Sequence, residues 1–424
     1  MRRGRDARED EAESFVPPAA LYVHVPICAS KCAYCDFYSV PAASLGEGFE
    51  AELVEATLAR ASALATRFEA EAFETVYVGG GTPSMLSPRA LDRLLEGIGS
   101  IAGGRGGRGR RPREWTVEAN PDSLGPEAVS IMRRHGVTRL SIGVQSLDPA
   151  ELSVLGRRHG ADAALRAVAL AAEAGLSVSA DLIAGIPAST ATPRPAFDAD
   201  RLASFARELL SAGAAHLSVY DLSLEEGTPL AAARSRLRFP DEDEDFESRR
   251  DLEAYLLESG LRRYEVSNYA AVGDECRHNL AYWRMDSYIG AGPGAVSTVA
   301  RRSGASLRIE ESRDLAGYAL AASRARETEI EPRDAAFETI MMAFRTCFGL
   351  DLAAFRERFG IEAELFIGET MRTWADKLVS GEAWPGSAGS GGPALTGEGM
   401  DILNRFLLDC MTEMNLGTSP STLY

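Results

Sequence analysis

Six short runs of alternating or continuous apolar residues recur through the first half of the chain: ALYVHV (20–25), ETVYVGG (74–80), EWTVEAN (114–120), TRLSIGVQS (138–146), SVSADLIAG (177–185) and HLSVYDL (216–222). Segments of helical period separate them, so the order is about six βα units and predicts a parallel sheet. Leu165, Val168, Ala169 and Ala172 fall on one helical face closed by Gly175, and Leu202, Phe205, Ala206 and Leu209 repeat the pattern before Gly213. Each such helix can cover one face of the sheet.

Polar residues gather near the C-terminal ends of the runs, as in Glu118, Gln145 and Asp181. Parallel α/β folds and TIM-type barrels assemble their ligand sites there, so the pattern predicts a face for the site. FPDEDEDFESRRDLE (239–253) reads as a charged helix start or linker and places the end of the barrel near residue 238. Phe337, Ile340, Met341 and Phe344 mark an amphipathic helix, and WPGSAGSGGPALTGEG (384–399) a hairpin or loop before the last helix. The expected division is a disordered tail over 1–17, a barrel over 18–238, a connecting segment over 239–300 and a small, mainly helical domain over 301–424. No catalytic motif stands out in that last domain.

With 424 residues, 45% of them hydrophobic, the chain can build a large core. Its formal net charge of −17 argues against a nucleic-acid surface, which needs a Lys/Arg field. The one basic block, RGGRGRRPR (105–113), is Gly-rich and reads as a loop insertion, with an anion site as the alternative. The opening MRRGRDAREDEAES lacks the apolar stretch of a secretory signal, and no later run approaches the roughly 20 apolar residues of a membrane span. The expectation is a cytoplasmic protein without a span, for which peripheral membrane association stays open.

Three of the six cysteines fall within eight residues, Cys28-x3-Cys32-x2-Cys35, directly after the first predicted strand. In a reducing compartment such clustering points to metal ligation. Three thiolates on a tight loop can hold three irons of a cubane cluster and leave the fourth iron free. Zinc is the main rival, but a structural zinc wants four closed ligands, and only His24 could complete the set by local crowding. Cys276, Cys347 and Cys410 are scattered and read as structural thiols.

The Cys loop, with Tyr34 before its third cysteine, resembles the signature of the radical S-adenosylmethionine (SAM) superfamily. That resemblance implies a partial (β/α)6 TIM-type barrel, with a [4Fe–4S] cluster on Cys28, Cys32 and Cys35. It implies that the free iron binds the amino and carboxylate groups of SAM, whose one-electron reduction gives a 5′-deoxyadenosyl radical. Gly79-Gly80-Gly81-Thr82-Pro83 follows the second strand, where glycines permit close backbone approach to a ligand, though a tight βα turn explains them equally. Gly80, Gly81, Thr82, Glu118, Gln145, Arg157 and Asp181 are the implied SAM contacts. Their chemistry suits a zwitterionic, ribose-bearing ligand: Arg157 can pair with a carboxylate, and the others can bond ammonium or hydroxyl groups. Tyr22 would lie against SAM, and Tyr34 would flank the loop.

YVHVPICASKCAYCDF, VYVGGGTPS, EANPDS, RLSIGVQS, LGRRH, DLIAGIP, LSVYDLSLEEGTPL and HNLAYW are similar to segments of the oxygen-independent coproporphyrinogen III oxidase-like proteins, a resemblance that runs from Tyr22 to about Phe406. Two branches of that group differ after the third cysteine. The true oxidase carries a further cysteine two residues on, whereas Phe37 stands here, as in the haem-chaperone branch, HemW. His278-Asn279-Leu280-Ala281-Tyr282-Trp283 matches that branch's HNxxYW motif and implies haem contact through His278, an imidazole beside rings that can pack on a macrocycle. A satisfied histidine under an aromatic cluster is the reading from the residues alone. The sequence departs from the family at Val296, where Gly-Ala-His-Ser is usual, and at Ala184, where an aromatic is common. The implied function is a chaperone carrying haem as cargo to acceptor respiratory haem proteins; the alternative is an oxidase that decarboxylates coproporphyrinogen III. No residue is assigned a catalytic role.

Overall fold

The computed structural model describes residues 13–104, 110–191, 198–320, 324–385 and 391–416. Residues 1–12 of the expected tail and 105–109 of the basic block lie outside the described residues. The six expected strands are present as β1 (Ala20–Val25), β2 (Thr75–Gly80), β3 (Glu114–Ala119), β4 (Arg139–Gln145), β5 (Ser177–Ala184) and β6 (His216–Asp221). They are parallel and ordered sequentially, 6-5-4-3-2-1, so every crossover moves the chain the same way round. This is an open, partial (β/α) barrel.

Alternation along the strands divides the two faces. Leu21, Val23, Val76, Val78, Trp115, Val117, Leu140, Ile142, Val178, Ala180 and Leu217 point into one core shared with the helices. The helices are α1 (Phe49–Arg67), α2 (Pro88–Ala102), α3 (Pro126–His135), α4 (Pro149–Leu155), α5 (Ala161–Glu173) and α6 (Arg201–Ser211). Leu202, Phe205, Ala206 and Leu209 are buried as their spacing predicts, whereas α5 is turned slightly, burying Ala164, Ala167, Val168 and Ala171 and leaving Leu165 and Ala172 at the edge of the core. The opposite sheet face carries Tyr22, His24, Tyr77, Glu114, Glu118, Ser141, Ser179, Asp181, His216 and Ser218, an almost wholly polar set. A barrel whose inside is polar must either satisfy those groups internally or offer them to a ligand.

The sheet does not stop at the expected boundaries near 238 and 300. The charged segment forms α7 (Glu242–Glu258), capped by Asp241 with a reciprocal bond from Glu244 and four acids in its first turn. Those acids suit the positive end of the helix dipole. Beyond it, β8 (Asn268–Ala270) adds antiparallel to β6, and β7 (Arg262–Arg263) adds antiparallel to β8. The short helix α8 (Arg277–Trp283) follows, and then β9 (Tyr288–Ala291) pairs parallel to β1. The meander β10 (Val296–Ala300), β11 (Ser306–Glu310) and β12 (Arg326–Ile330) extends the sheet to twelve strands. The N-terminal segment is also tied in, since Val16 N–H donates to Ala300 O at 2.8 Å and Phe15 packs edge-on to Phe68 at 4.9 Å.

A second core lies C-terminal to the sheet. Ile340, Phe344, Phe355, Phe366, Phe406 and Met414 join α9 (Pro332–Ala343), α10 (Leu352–Phe359), α11 (Glu364–Thr373) and α12 (Leu403–Leu416). Of the stretch expected as a hairpin or loop over 384–399, residues 386–390 lie outside the described residues; Pro393–Leu395 pairs antiparallel with Leu378–Ser380. Cys276 and Cys410 are buried free thiols, as expected, and Cys347 is half-buried.

Candidate functional site

At the C-terminal ends of the six strands a cavity of about 400 Å³ opens, bordered by Cys28, Cys32, Cys35 and Tyr34 on one side and by Tyr77, Gly80–Thr82, Glu118, Asn120, Gln145, Arg157 and Asp181 on the other. The loop bearing the thiols is pinned at its base by pairing of Ile27–Cys28 with Val40–Pro41. Thr82 Oγ1 donates to Cys28 Sγ and Arg157 Nη1 to Cys32 Sγ, each at 3.5 Å. Asn120 ties these two together, giving Nδ2–H to Thr82 Oγ1 at 2.8 Å and accepting Arg157 Nη2–H on Oδ1 at 2.7 Å. Arg157 Nη2 also reaches Gly143 O. One guanidinium and one hydroxyl therefore face the sulfurs, where they offset thiolate charge.

The carboxylates lie deeper. Glu118 accepts from Tyr77 Oη at 2.8 Å and from Gly80 N–H at 2.9 Å, yet burial pushes its pKa up from 4.5 to about 7 against those two bonds. Asp181 accepts from Ser141 Oγ at 3.1 Å, and burial raises it to about 6. Two buried carboxylates at the edge of open space, neither of them in an ion pair among the described residues, are an incomplete set. Gln145 adds a special backbone: its φ is +69° at an irregularity where β4 slips register against β5, which turns its side chain into the cavity.

The glycines answer to the protein's own groups as much as to a ligand. A Cβ on Gly79 would lie 2.5 Å from the Glu118 carboxyl, and one on Gly81 2.5 Å from Val25 O. Gly80 has φ +93°, and a Cβ there would strike the His24 ring. The expected close approach is real, but its partners are Glu118, His24 and the base of the Cys loop. His24 is buried with Nδ1 bonded to Tyr22 Oη at 2.8 Å and Nε2 to Tyr38 O at 3.0 Å, so it offers no nitrogen to a zinc ion. Among the described residues no three His, Cys, Asp or Glu side chains converge on a single ion; the thiols border a shared space instead. Tyr22, expected against SAM, is held by His24 and is not among the residues bordering the cavity, where Tyr77 stands in its place.

The radical SAM superfamily model matches residues 22–200 and the HemN C-terminal domain model residues 330–371. Heme chaperone HemW of Escherichia coli is 34% identical over 335 residues, covering 78% of this chain and 83% of that protein. This chain belongs to the HemW family. Heme chaperone HemW of Mycobacterium tuberculosis is 38% identical over 282 residues, covering 66% of this chain and 69% of that protein. The solved structure of coproporphyrinogen III oxidase (HemN) from Escherichia coli shares the fold with TM-score 0.71 over 96% of this chain and 93% of that one, at 17% identity. Membership of the HemW branch within the radical SAM superfamily implies a [4Fe–4S] cluster and SAM, and the residues present fit both. Three thiols on one loop lack a fourth protein ligand, and the acids of the cavity, Asp36, Glu118, Asp181, Asp221 and Glu225 against Lys31 and Arg157, suit a ligand of net positive charge.

The HNxxYW segment of this HemW-family chain lies elsewhere. It forms α8, whose Arg277 and His278 N–H groups each donate to the Glu114 carboxylate at 2.9 Å, at the N-terminal end of β3. His278 is fully buried; Nδ1 is bonded to Thr75 Oγ1 and Nε2 to Tyr282 Oη, both at 2.9 Å, and burial lowers its pKa to about 3. With both ring nitrogens engaged and no exposure, this is the satisfied histidine, not an open iron ligand. The expectation of haem contact through His278 is corrected on that ground. Sequence reasoning also missed Asn120 and Tyr77, although both sit inside quoted motifs; the signal for Tyr77 was its place on the same alternating face as Gly79, and for Asn120 its position just beyond β3.

Proposed function

We propose that this chain is a cytoplasmic haem chaperone whose cluster and SAM occupy the C-terminal mouth of the barrel. Cys28, Cys32 and Cys35 would hold the [4Fe–4S] cluster, which when bound supplies an open iron and one-electron chemistry to SAM. Gly80, Gly81, Thr82, Glu118, Gln145, Arg157 and Asp181 would bind and orient SAM, with Tyr34 flanking the loop. Arg157 and Thr82 act on the sulfurs, since hydrogen bonds to cluster ligands tune charge and potential. Glu118 and Asp181 would hold ammonium or hydroxyl groups and lose the burial penalty when a cation arrives.

The observation that carries the chaperone reading over the oxidase is the composition of the mouth. Phe37 stands 65% exposed where the true oxidase has a cysteine, and five acids border a cavity with two bases. Coproporphyrinogen III, with four carboxylates, would meet more like charge there than haem, with two. The curated relatives named heme chaperones support haem as the cargo, passed on to acceptor haem proteins. No described helix is long and apolar enough to cross a membrane, which is compatible with delivery from the cytoplasm. Anaerobic reconstitution followed by haem titration in absorbance tests the proposal. Saturable haem binding and transfer to an apo-haem protein are expected; stoichiometric oxidation of coproporphyrinogen III with SAM and reductant would overturn it.

A further inference from the structure

Beneath the cavity, the polar face of the sheet holds a line of hydrogen bonds that ends on Ser218, beside Asp181. Tyr264 Oη lies 2.9 Å from His216 Nε2, His216 Nδ1 2.8 Å from Ser179 Oγ, and Ser179 Oγ 3.3 Å from Ser218 Oγ. Ser218 stands beside the Asp181 carboxylate as its register partner on the neighbouring strand and favours its ionised form. Tyr264, His216, Ser179 and Ser218 are all buried, at 0%, 0%, 0% and 3% exposure, so no solvent proton breaks the line.

The direction of the line follows from its two ends. Cys276 N–H donates to Tyr264 Oη at 3.2 Å, and among the described hydrogen bonds His216 Nε2 is the one group placed to take the tyrosine proton. The ionised Asp181 only accepts, so Ser218 donates to it. Between these ends a neutral histidine must carry its proton on Nδ1 and donate to Ser179, which then donates to Ser218. With Ser218 turned to Asp181, the opposite tautomer would have Ser179 donate to Nδ1, set the oxygens of Ser179 and Ser218 lone pair against lone pair, and leave the tyrosine proton with no acceptor among the described hydrogen bonds. Deep burial and the charge of Arg139 keep His216 neutral, as this scheme requires.

We infer that Tyr264 and His216 are positioning residues for the ligand site: a directed relay, Tyr264 to His216 to Ser179 to Ser218, aims an O–H at Asp181 and holds its carboxylate ionised and turned toward the cavity. The inference rests on the reading that Asp181 faces SAM. Asp181 is also faced by Ser141 from β4, by Arg139 and Arg157, whose charges favour ionisation, and by Glu118 and Tyr220, which stand near it on β3 and β6. The relay adds a second hydroxyl donor to that of Ser141, and polarised chains of this kind couple non-additively to their terminus.

The test is a double-mutant cycle on cluster-reconstituted protein, reading SAM affinity by calorimetry across pH 5.5 to 8. Asp181→Asn is expected to weaken SAM; if it does not, the reading of Asp181 fails, and the inference with it. Tyr264→Phe is expected to weaken SAM by about three- to tenfold and to move the pH midpoint of binding upward, and to do neither in the Asp181→Asn background. An equal effect in both backgrounds, or none in either, overturns the relay while leaving the Asp181 reading intact. Nitrogen NMR of His216 in the protein without SAM gives a second measurement: protonation at Nδ1 is expected, and protonation at Nε2 overturns the scheme without any variant that must fold.

Discussion

The two ends of the same six strands carry similar residues and use them in opposite ways. At the C-terminal ends, Glu118 and Asp181 face open space, and burial lifts their pKa values to about 7 and about 6. At the N-terminal ends, Glu114 accepts two backbone N–H groups of α8 and the Cys276 thiol, and His278 is bonded through both ring nitrogens. A carboxylate or imidazole signals a site where its partners are incomplete, and signals architecture where they are complete. His278 and Cys28 are both metal-ligand types in a motif, yet only the cysteine borders a cavity.

The largest effect expected from this contrast falls on the Cys loop. Cys28→Ser, Cys32→Ser or Cys35→Ser should reduce iron after anaerobic reconstitution from about four per chain to nearly none, with loss of the brown absorbance and the reduced-state EPR signal. Thermal unfolding of the unreconstituted chain should be little changed, because the three thiols are only half-buried. Full iron content in any of these variants would remove the basis for placing the cluster there.

At the other end the order of effects reverses. Glu114→Ala strands the buried donors of Arg277, His278 and Cys276, an effect worth about 2–4 kcal/mol of folding stability, read as a lower denaturant midpoint. Iron per folded chain should stay at the wild-type value. His278→Ala should likewise lower stability by leaving Thr75 and Tyr282 unpaired, while the haem absorption of the folded fraction keeps its wild-type form. A lost axial-ligand band at unchanged stability would return His278 to the cargo.

Glu118 gives a smaller effect with a definite sign. Its pKa is raised to about 7, so the form that attracts a cation is half-populated near neutral pH in the protein without ligand. SAM affinity should therefore rise as pH rises through about 7 and fall below it, approaching tenfold per pH unit, with Asp181 adding to the loss below about 6. Glu118→Gln should bind SAM more weakly at pH 8 and lose the dependence near 7. An affinity flat from pH 6 to 8 in the wild type would show that no cation rests on this carboxylate.

Much of this was legible in the residues. Six strands and the face of the site follow from alternation, because a sheet covered by helices on one side cannot hide which positions point into the core. The Cys spacing places the thiols, because three donors on one loop need no tertiary information to be close. Three things were not legible. The sheet continues through β9–β12 past the charged α7, since strand pairing between residues 20 and 288 leaves no local mark. Tyr77 and not Tyr22 borders the cavity because His24, two residues from Tyr22, captures its hydroxyl. His278 lies at the closed end because α8 is seated by Glu114, 164 positions away, a partnership no periodicity announces.

The smallest structural effect belongs to Phe37, and it sharpens the contrast from the outer side of the site. Its ring is 65% exposed at the rim of the cavity, beside the thiols. An aromatic ring in that position makes little folding contribution, so Phe37→Ala should change stability by no more than about 0.5 kcal/mol and leave iron content untouched. If the haem macrocycle lies against the mouth, the same substitution removes a ring contact worth about 0.5–1.5 kcal/mol, a two- to tenfold loss of haem affinity in a titration. A cost to cargo without a cost to fold is what distinguishes a rim residue from one such as His278, whose loss is paid in stability. Unchanged haem affinity in Phe37→Ala would put the cargo away from the mouth, and the open end of the barrel would then serve the cluster and SAM alone.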